Sequence, residues 1–121
     1  MNEMLNKFFS LKANNTNIRT EVLAGITTFV TMAYIIFVNP SIISITAGSE
    51  LYGSLTVATC IAAAIGTLMM ALYAKLPFAQ APGMGLNAFF AFSIVPLVGY
   101  GGALSAVFIS GIIFILISVL G

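Results

Sequence analysis

Apolar residues in this sequence come in long runs, and short polar stretches separate one run from the next. The runs cover about residues 22–45, 54–74, 77–98 and 102–120. A helix needs roughly 20 apolar residues to cross the hydrocarbon core of a bilayer, so each run is long enough for one crossing. The pattern predicts an all-α integral membrane protein, with a polar tail over residues 1–20 and a membrane region over residues 21–121.

The third run, over residues 77–98, differs from the others because helix-disrupting residues interrupt it. Pro77 and Pro82 disfavour helix and bias the residue before each of them toward extended backbone. Gly83 and Gly85 permit a tight turn or the close approach of a ligand to the backbone. The sequence is then helix-compatible until just before Pro96. It predicts a short extended stretch followed by a half-helix.

Another proline, Pro40, lies near the end of the first run and follows Asn39. Because proline removes one backbone donor and clashes with the preceding turn, we expect a kink or a break there. The hydroxyls of Thr27, Thr28 and Thr31 in the same run are expected to bond to carbonyls of their own helix.

Small residues recur every four positions in the second and fourth runs. The two stripes are Ala58, Ala62 and Gly66, and Gly102, Ala106 and Ser110. Such stripes let another helix approach closely, so we expect both spans to pack against neighbours.

Composition and charge exclude a soluble domain. The chain is 60% hydrophobic and 6% charged, with a mean hydropathy of +1.13, whereas about a quarter of the residues in soluble domains are charged. Glu3, Glu21 and Glu50 all lie outside the apolar runs, so no span offers a carboxylate for proton relay. The sequence implies no catalytic residue, no cofactor and no metal, and we expect no enzyme activity.

Basic residues indicate the orientation in the membrane. Three of them precede the first run, namely Lys7, Lys12 and Arg19, and Lys75 lies between the second and third runs. Lys and Arg in short loops favour the cytoplasmic side. We therefore expect the N-terminus and Lys75 inside the cell, and Glu50 and Tyr100 outside.

The interrupted third run is the candidate binding site. A helix that starts inside the membrane has unpaired N–H groups in its first turn, and these can bind electron-rich ligand atoms. Asn87 lies in that turn, and its amide offers a donor and an acceptor for a ligand that carries a carbonyl beside a ring N–H. The alternative is that Asn87 bonds local backbone. Candidate substrate-binding residues are Gly83, Met84, Gly85, Asn87 and, in the first span, Thr31.

Three blocks of sequence carry a resemblance to a known family. They are NIRTEVLAG at residues 17–25, TMAYIIFVNP at residues 31–40 and APGMGLNAFF at residues 81–90. The chain resembles the guanine/hypoxanthine permeases, the AzgA-like purine permeases of the nucleobase:cation symporter group. That family has fourteen segments in two inverted repeats, and its third and tenth segments each pair a short strand with a half-helix around the purine. The resemblance implies that this chain is the first four segments.

The resemblance also implies a function. It is import of guanine, hypoxanthine or adenine across the plasma membrane by proton symport, with Asn87 as the best candidate for ligand contact and acidic residues supplied by later segments. The fragment alone is not expected to transport. Expected partners are a purine nucleobase, a proton, the lipid bilayer, the remaining segments of the parent transporter and a second copy in a homodimer, and nucleic acid is not among them.

Two alternatives stay open on the sequence. One is a small helical membrane subunit that acts in assembly or regulation through its small-residue stripes. It leaves the Pro-Gly-Met-Gly-Leu-Asn interruption at residues 82–87 unexplained. The other is an anion carrier on a related fold, which the absence of basic residues from the apolar runs disfavours.

Overall fold

The structure, a computed structural model, describes residues 15–121, and this part of the chain is helical with no strand. Its α-helices are α1 (Ile18–Met32), α2 (Ile35–Ala47), α3 (Tyr52–Met69), α4 (Met84–Phe89) and α5 (Val95–Leu120). A 3-10 turn at Ser49–Leu51 precedes α3, a π-helical turn at Met70–Ala74 follows it, and a second π-helical turn at Phe90–Ile94 joins α4 to α5. The predictions about the tail over residues 1–14, with Lys7 and Lys12, lie outside the described residues.

Three helical stretches within residues 15–121 are long and apolar enough to cross a membrane: Ile18–Ala47, Ser49–Ala74 and Met84–Leu120. The all-α prediction is therefore confirmed, with helices that are long and apolar enough to span a membrane. The last stretch contains both the third and the fourth predicted runs. As one straight helix its 37 residues would measure about 55 Å at roughly 1.5 Å per residue, which exceeds a hydrocarbon core of about 30 Å. Its division into two crossings stays a prediction.

Gly99 is where this long stretch leaves helical geometry. Its φ of 74° and ψ of 165° lie outside the helical region, and glycine reaches a positive φ without the steric cost that a Cβ imposes. The expected interruption between the third and fourth runs is thus confined to Gly99, and Tyr100 is helical and half-buried. Its ring packs edge-to-face on Phe90, with the ring centroids 6.4 Å apart and the planes at 80°.

The helix end expected ahead of Pro96 is wrong, because helical structure continues through that residue. Pro96 lies in the first turn of α5, and the N–H that proline lacks costs the continuous helical stretch one hydrogen bond. The preceding turn, Phe90–Ile94, is π-helical and therefore wider than an α-helical turn.

The first span begins earlier than its apolar run and is interrupted at a different place from the one expected. Asn17 caps α1, since its side-chain oxygen accepts from the N–H of Thr20 at 2.9 Å, and Glu21 adds a negative charge in the first turn. The expected break at Pro40 is absent, and the interruption between α1 and α2 lies at residues 33–34. A single proline removes only one helical hydrogen bond, which a membrane helix tolerates.

The described chain divides into two compact units. One contains residues 15–35 and 61–81, and therefore α1, the second half of α3 and the non-helical stretch that follows it. The other contains residues 36–60 and 82–121, and therefore α2, the first half of α3, α4 and α5. Every buried residue of the described part lies in this second unit: Asn39, Pro40, Leu55, Thr59, Ala91, Val95 and Ala103.

Candidate functional site

The candidate site begins where the non-helical stretch ends. Residues 75–83 are not helical, Gly83 is extended (φ −78°, ψ 123°), and α4 starts at Met84. The predicted break ahead of a helix is therefore confirmed. Gly83 has no side chain to cap the helix, and its carbonyl accepts the backbone N–H of Asn87 at 3.1 Å. A Cβ at Gly83 or Gly85 would meet no atom within 4 Å. Packing within the described chain therefore does not explain these two glycines.

The Asn87 side chain reaches across to a buried polar cluster. Its amide nitrogen donates to the side-chain oxygen of Asn39, a residue of α2. The amide nitrogen of Asn39 donates in turn to Thr59 Oγ1 on α3 at 2.8 Å, and that hydroxyl donates to the carbonyl of Leu55 at 2.7 Å. We call this series, from Asn87 through Asn39 and Thr59 to the Leu55 carbonyl, the hydrogen-bond relay. The local-backbone alternative for the Asn87 side chain is therefore wrong.

Burial makes the relay costly to disrupt. Asn39 is 4% exposed and Thr59 is 6% exposed, while Asn87 is half-buried. A buried polar group left without a partner costs about 1–3 kcal/mol. The packing of α2, α3 and α4 residues in this unit therefore depends on all three side chains keeping their bonds.

Sequence reasoning missed Asn39 and Thr59. It considered Asn39 only as the neighbour of Pro40, and it gave Thr59 no role. A usable signal was present, because an amide inside an uncharged membrane span is expensive unless another polar group bonds to it. Asn39 is the only such amide in the first apolar run.

Thr31, the remaining candidate residue, lies in the other unit. Its hydroxyl donates to the Thr28 carbonyl at 2.8 Å, and the hydroxyls of Thr27 and Thr28 donate to the carbonyls of Leu23 and Ala24, each at 2.9 Å. The expected bonding of these hydroxyls to their own helix is confirmed. A ligand-binding role for Thr31 stays a prediction.

A second long-range polar contact holds the non-helical stretch to α3. The backbone N–H of Gln80 donates to Thr67 Oγ1 at 3.0 Å, and that hydroxyl donates to the Gln80 carbonyl at 3.4 Å. A Cβ on the adjacent Gly66 would lie 3.1 Å from the Gln80 Cβ. The close neighbour of Gly66 is therefore the non-helical stretch, and the helix contact expected at this stripe stays a prediction.

The other stripe residues are exposed in the described chain. Gly102, Ala106 and Ser110 all lie on the surface of α5, whereas Ala103 is fully buried. Packing within this unit therefore uses Ala103, and helix contacts at the stripe stay a prediction.

The relay is uncharged along its whole length, since it consists of two amides, one hydroxyl and one carbonyl. Residues 15–121 also contain no group of three or more His, Cys, Asp or Glu side chains that could hold a metal ion. The arrangement can therefore recognise a ligand by hydrogen bonds to neutral groups.

Comparisons with known proteins identify the family. A family model described as "Permease family" matches residues 19–121. A Methanocaldococcus jannaschii protein, named as a permease with no substrate given, is 55% identical over 118 residues, which are 96% of this chain and 27% of that protein. Adenine permease AdeP of Escherichia coli is 53% identical over 96 residues, or 79% of this chain and 21% of its own length.

Guanine/hypoxanthine permease PbuO of Bacillus subtilis is 48% identical over 114 residues, which are 91% of this chain and 26% of that protein. The chain thus spans about a quarter of the length of the curated relatives that it matches. The family match covers most of the 121 residues and includes α1 to α5. The chain belongs to the xanthine/uracil permease family, whose matching relatives include guanine/hypoxanthine and adenine permeases.

Proposed function

We propose that these residues form part of a secondary active transporter that imports purine nucleobases, with guanine, hypoxanthine or adenine as the substrate. The names of the Bacillus subtilis and Escherichia coli relatives support the purine class. The observation that carries the proposal is the side chain of Asn87, which is half-buried and held by Asn39 at the start of α4.

A neutral amide suits a neutral purine. Purine bases present ring N–H donors beside carbonyl or ring-nitrogen acceptors, and an asparagine amide has both kinds of group. Binding at membrane depth removes the ligand from water, so each of its polar groups needs a partner in the site. The uncharged relay and the family membership together disfavour both an anion carrier and a small assembly subunit.

Proton symport is the coupling that we propose, and its carboxylate would come from outside these 121 residues. Glu21 lies in the first turn of α1 and Glu50 in the 3-10 turn before α3, both at helix ends. A chain of four segments in a fourteen-segment inverted repeat is consistent with coverage of about a quarter of each relative. On this proposal the second half of the purine site lies in the later repeat.

Uptake by intact cells tests the proposal. Cells that lack purine uptake are made to produce the longer transporter that contains these residues, and the entry of radiolabelled guanine, hypoxanthine and adenine is followed. We expect uptake of at least one base above that of control cells, and a fall in uptake when the proton gradient is collapsed. Uptake equal to that of control cells for all three bases would contradict the proposed function.

The orientation that we propose is N-terminus and Lys75 inside the cell and Glu50 outside. Single cysteines at positions 50 and 75, in a Cys60→Ala background because Cys60 is exposed, can be labelled with a membrane-impermeant reagent. Position 50 should react from outside and position 75 only after the membrane is opened. The reverse pattern would overturn the orientation.

The 121-residue chain by itself should insert in the membrane and bind no purine measurably. It supplies one half of an inverted-repeat site, and its carboxylates Glu21 and Glu50 lie at helix ends, so ring N–H groups of the ligand would lack a charged acceptor. Equilibrium binding of radiolabelled hypoxanthine to the purified chain in detergent measures this. Saturable micromolar binding would show that these residues hold a complete site.

A further inference from the structure

The direction of the hydrogen-bond relay follows from its last member. The Thr59 hydroxyl has one hydrogen, and it donates that hydrogen to the Leu55 carbonyl at 2.7 Å. Its oxygen can therefore only accept from Asn39, and the atom that Asn39 turns toward it, at 2.8 Å, must be the amide nitrogen. Fixed donors and acceptors of this kind decide which way round an asparagine amide lies.

The same constraint passes on to Asn87. Since the amide nitrogen of Asn39 faces Thr59, the side-chain oxygen of Asn39 faces Asn87. Asn87 must therefore donate to that oxygen from its own amide nitrogen. The carbonyl oxygen of Asn87 is then left outside the relay, together with one amide hydrogen. A backbone carbonyl on α3 thus determines which end of the Asn87 amide remains for a ligand.

We propose that Asn39 and Thr59 are positioning residues that hold the Asn87 side chain with its carbonyl oxygen toward the ligand, so that the site selects a base carrying a ring N–H at that point. This inference rests on the proposed function and names the group of the substrate that is recognised. The reversed amide arrangement would turn the oxygen of Asn39 toward Thr59. The hydroxyl would then have to give up its bond to Leu55, which disfavours that arrangement by roughly tenfold.

Removal of the Thr59 hydroxyl is the direct test. In Thr59→Val, position 59 offers Asn39 neither an acceptor for its amide nitrogen nor a donor for its oxygen. Either orientation of the two amides therefore leaves one group of Asn39 unpaired. The amide of Asn87 should then present its nitrogen as readily as its oxygen. Valine has nearly the same shape as threonine, and Thr59→Ser keeps the hydroxyl and should restore the selectivity.

A matched control lies one turn away on the same helix. The Thr56 hydroxyl donates to the Tyr52 carbonyl at 2.9 Å, as Thr59 does to Leu55, and this bond lies within α3. Thr56→Val therefore removes the same local hydrogen bond without touching the relay. Asn39→Leu, whose side chain has the same branching and number of heavy atoms, breaks the relay at its centre and serves as a second variant.

The experiment measures inhibition of radiolabelled hypoxanthine uptake by 1-methyl-, 7-methyl- and 9-methylhypoxanthine, each of which replaces one ring N–H by a methyl group. The readout is the ratio of each inhibition constant to that of hypoxanthine, in cells that produce the longer transporter. The unmodified protein should discriminate most strongly at one ring position. Thr59→Val and Asn39→Leu should lower that ratio by about five- to tenfold, with uptake normalised to the amount of transporter in the membrane.

Thr59→Ser and Thr56→Val should leave the ratio unchanged. The positioning role would be overturned by an unchanged ratio in Thr59→Val or by an equal fall of the ratio in Thr56→Val. Equal weakening of the binding of all four compounds would also overturn it, because a purely structural change does not favour one ring position. An unmodified transporter that shows no discrimination would overturn it as well. Absence of any purine uptake by the unmodified transporter contradicts the proposed function instead, so the two failures are distinguishable.

Discussion

Two threonines of α3 make long-range hydrogen bonds, and they bond to different kinds of partner. Thr67 bonds to main chain, since it meets both the N–H and the carbonyl of Gln80. Thr59 bonds to the side chain of Asn39 and, through it, to Asn87. The first contact closes on itself, because both backbone groups of one residue are satisfied. The second ends at Asn87, whose side-chain oxygen takes no part in the relay.

The difference indicates that the Thr67 contact supports the backbone, whereas the Thr59 contact serves ligand recognition. Irregular backbone at membrane depth persists only when its polar groups are paired, and Thr67 supplies that pairing for Gln80 in the stretch ahead of α4. Any residue at position 80 other than proline would offer the same two backbone groups. The Thr59 contact instead needs an amide at position 39 and another at position 87. We therefore expect changes at Thr67 to affect stability alone, and changes in the relay to affect ligand selection as well as stability.

The largest effect is expected from Asn87→Ala, which removes the amide at the ligand-facing end of the relay. A ligand N–H would lose its acceptor and Asn39 would lose its donor, so purine affinity should fall by about 5- to 150-fold, corresponding to about 1–3 kcal/mol. The measurement is the concentration dependence of hypoxanthine and guanine uptake in the longer transporter, with the amount in the membrane determined in parallel. Normal uptake of both bases would refute a role for Asn87.

Thr67→Val should lower stability and leave affinity nearly unchanged. Loss of the hydroxyl unpairs the N–H and the carbonyl of Gln80, and we expect a cost of about 1–2 kcal/mol because one of the two bonds is long, at 3.4 Å. The midpoint of thermal unfolding in detergent should fall, whereas Thr67→Ser should preserve it. A change in substrate selectivity without a change in stability would contradict the division between the two threonines.

The smallest effect is expected at Gly66. An added Cβ would lie 3.1 Å from the Cβ of Gln80, whose backbone Thr67 holds in place, so Gly66→Ala forces a displacement. Helix propensity offsets part of this, since alanine is favoured over glycine by about 1 kcal/mol. We expect a net loss of under about 1 kcal/mol. Gly53→Ala, on the same helix with no atom within 4 Å, should be neutral or stabilising. Equal thermal midpoints for the two variants would argue against a tight contact.

The sequence predicted the helical, membrane-spanning class and the break ahead of α4, because both depend on local features. A long uncharged run predicts a membrane helix from its own residues, and Pro77, Pro82 and Gly83 disrupt helix only in their own stretch of chain. The same local reasoning overestimated the effect of Pro40 and Pro96, where helical structure continues. A proline inside or at the start of a helix removes one backbone hydrogen bond, and the remaining bonds of the helix are enough to maintain it.

The relay could not be predicted in the same way. Asn39 and Thr59 are 20 positions apart and Asn39 and Asn87 are 48 apart, so no helical or strand period relates them. Their pairing depends on the packing of α2, α3 and α4 residues within one unit. The sequence singled out Asn87 from its own surroundings, and the structure adds the two residues that hold its side chain.

A double-mutant cycle between Thr59 and Asn87 tests most directly whether the relay acts through Asn87. The discrimination ratio between hypoxanthine and its most discriminated methyl derivative is measured in the unmodified transporter, Thr59→Val, Asn87→Ala and the double variant. Because neighbours in one hydrogen-bond network are not additive, Thr59→Val should lower the ratio about five- to tenfold when Asn87 is present and leave it unchanged when Asn87 is alanine. An equal fall in both backgrounds would contradict the account.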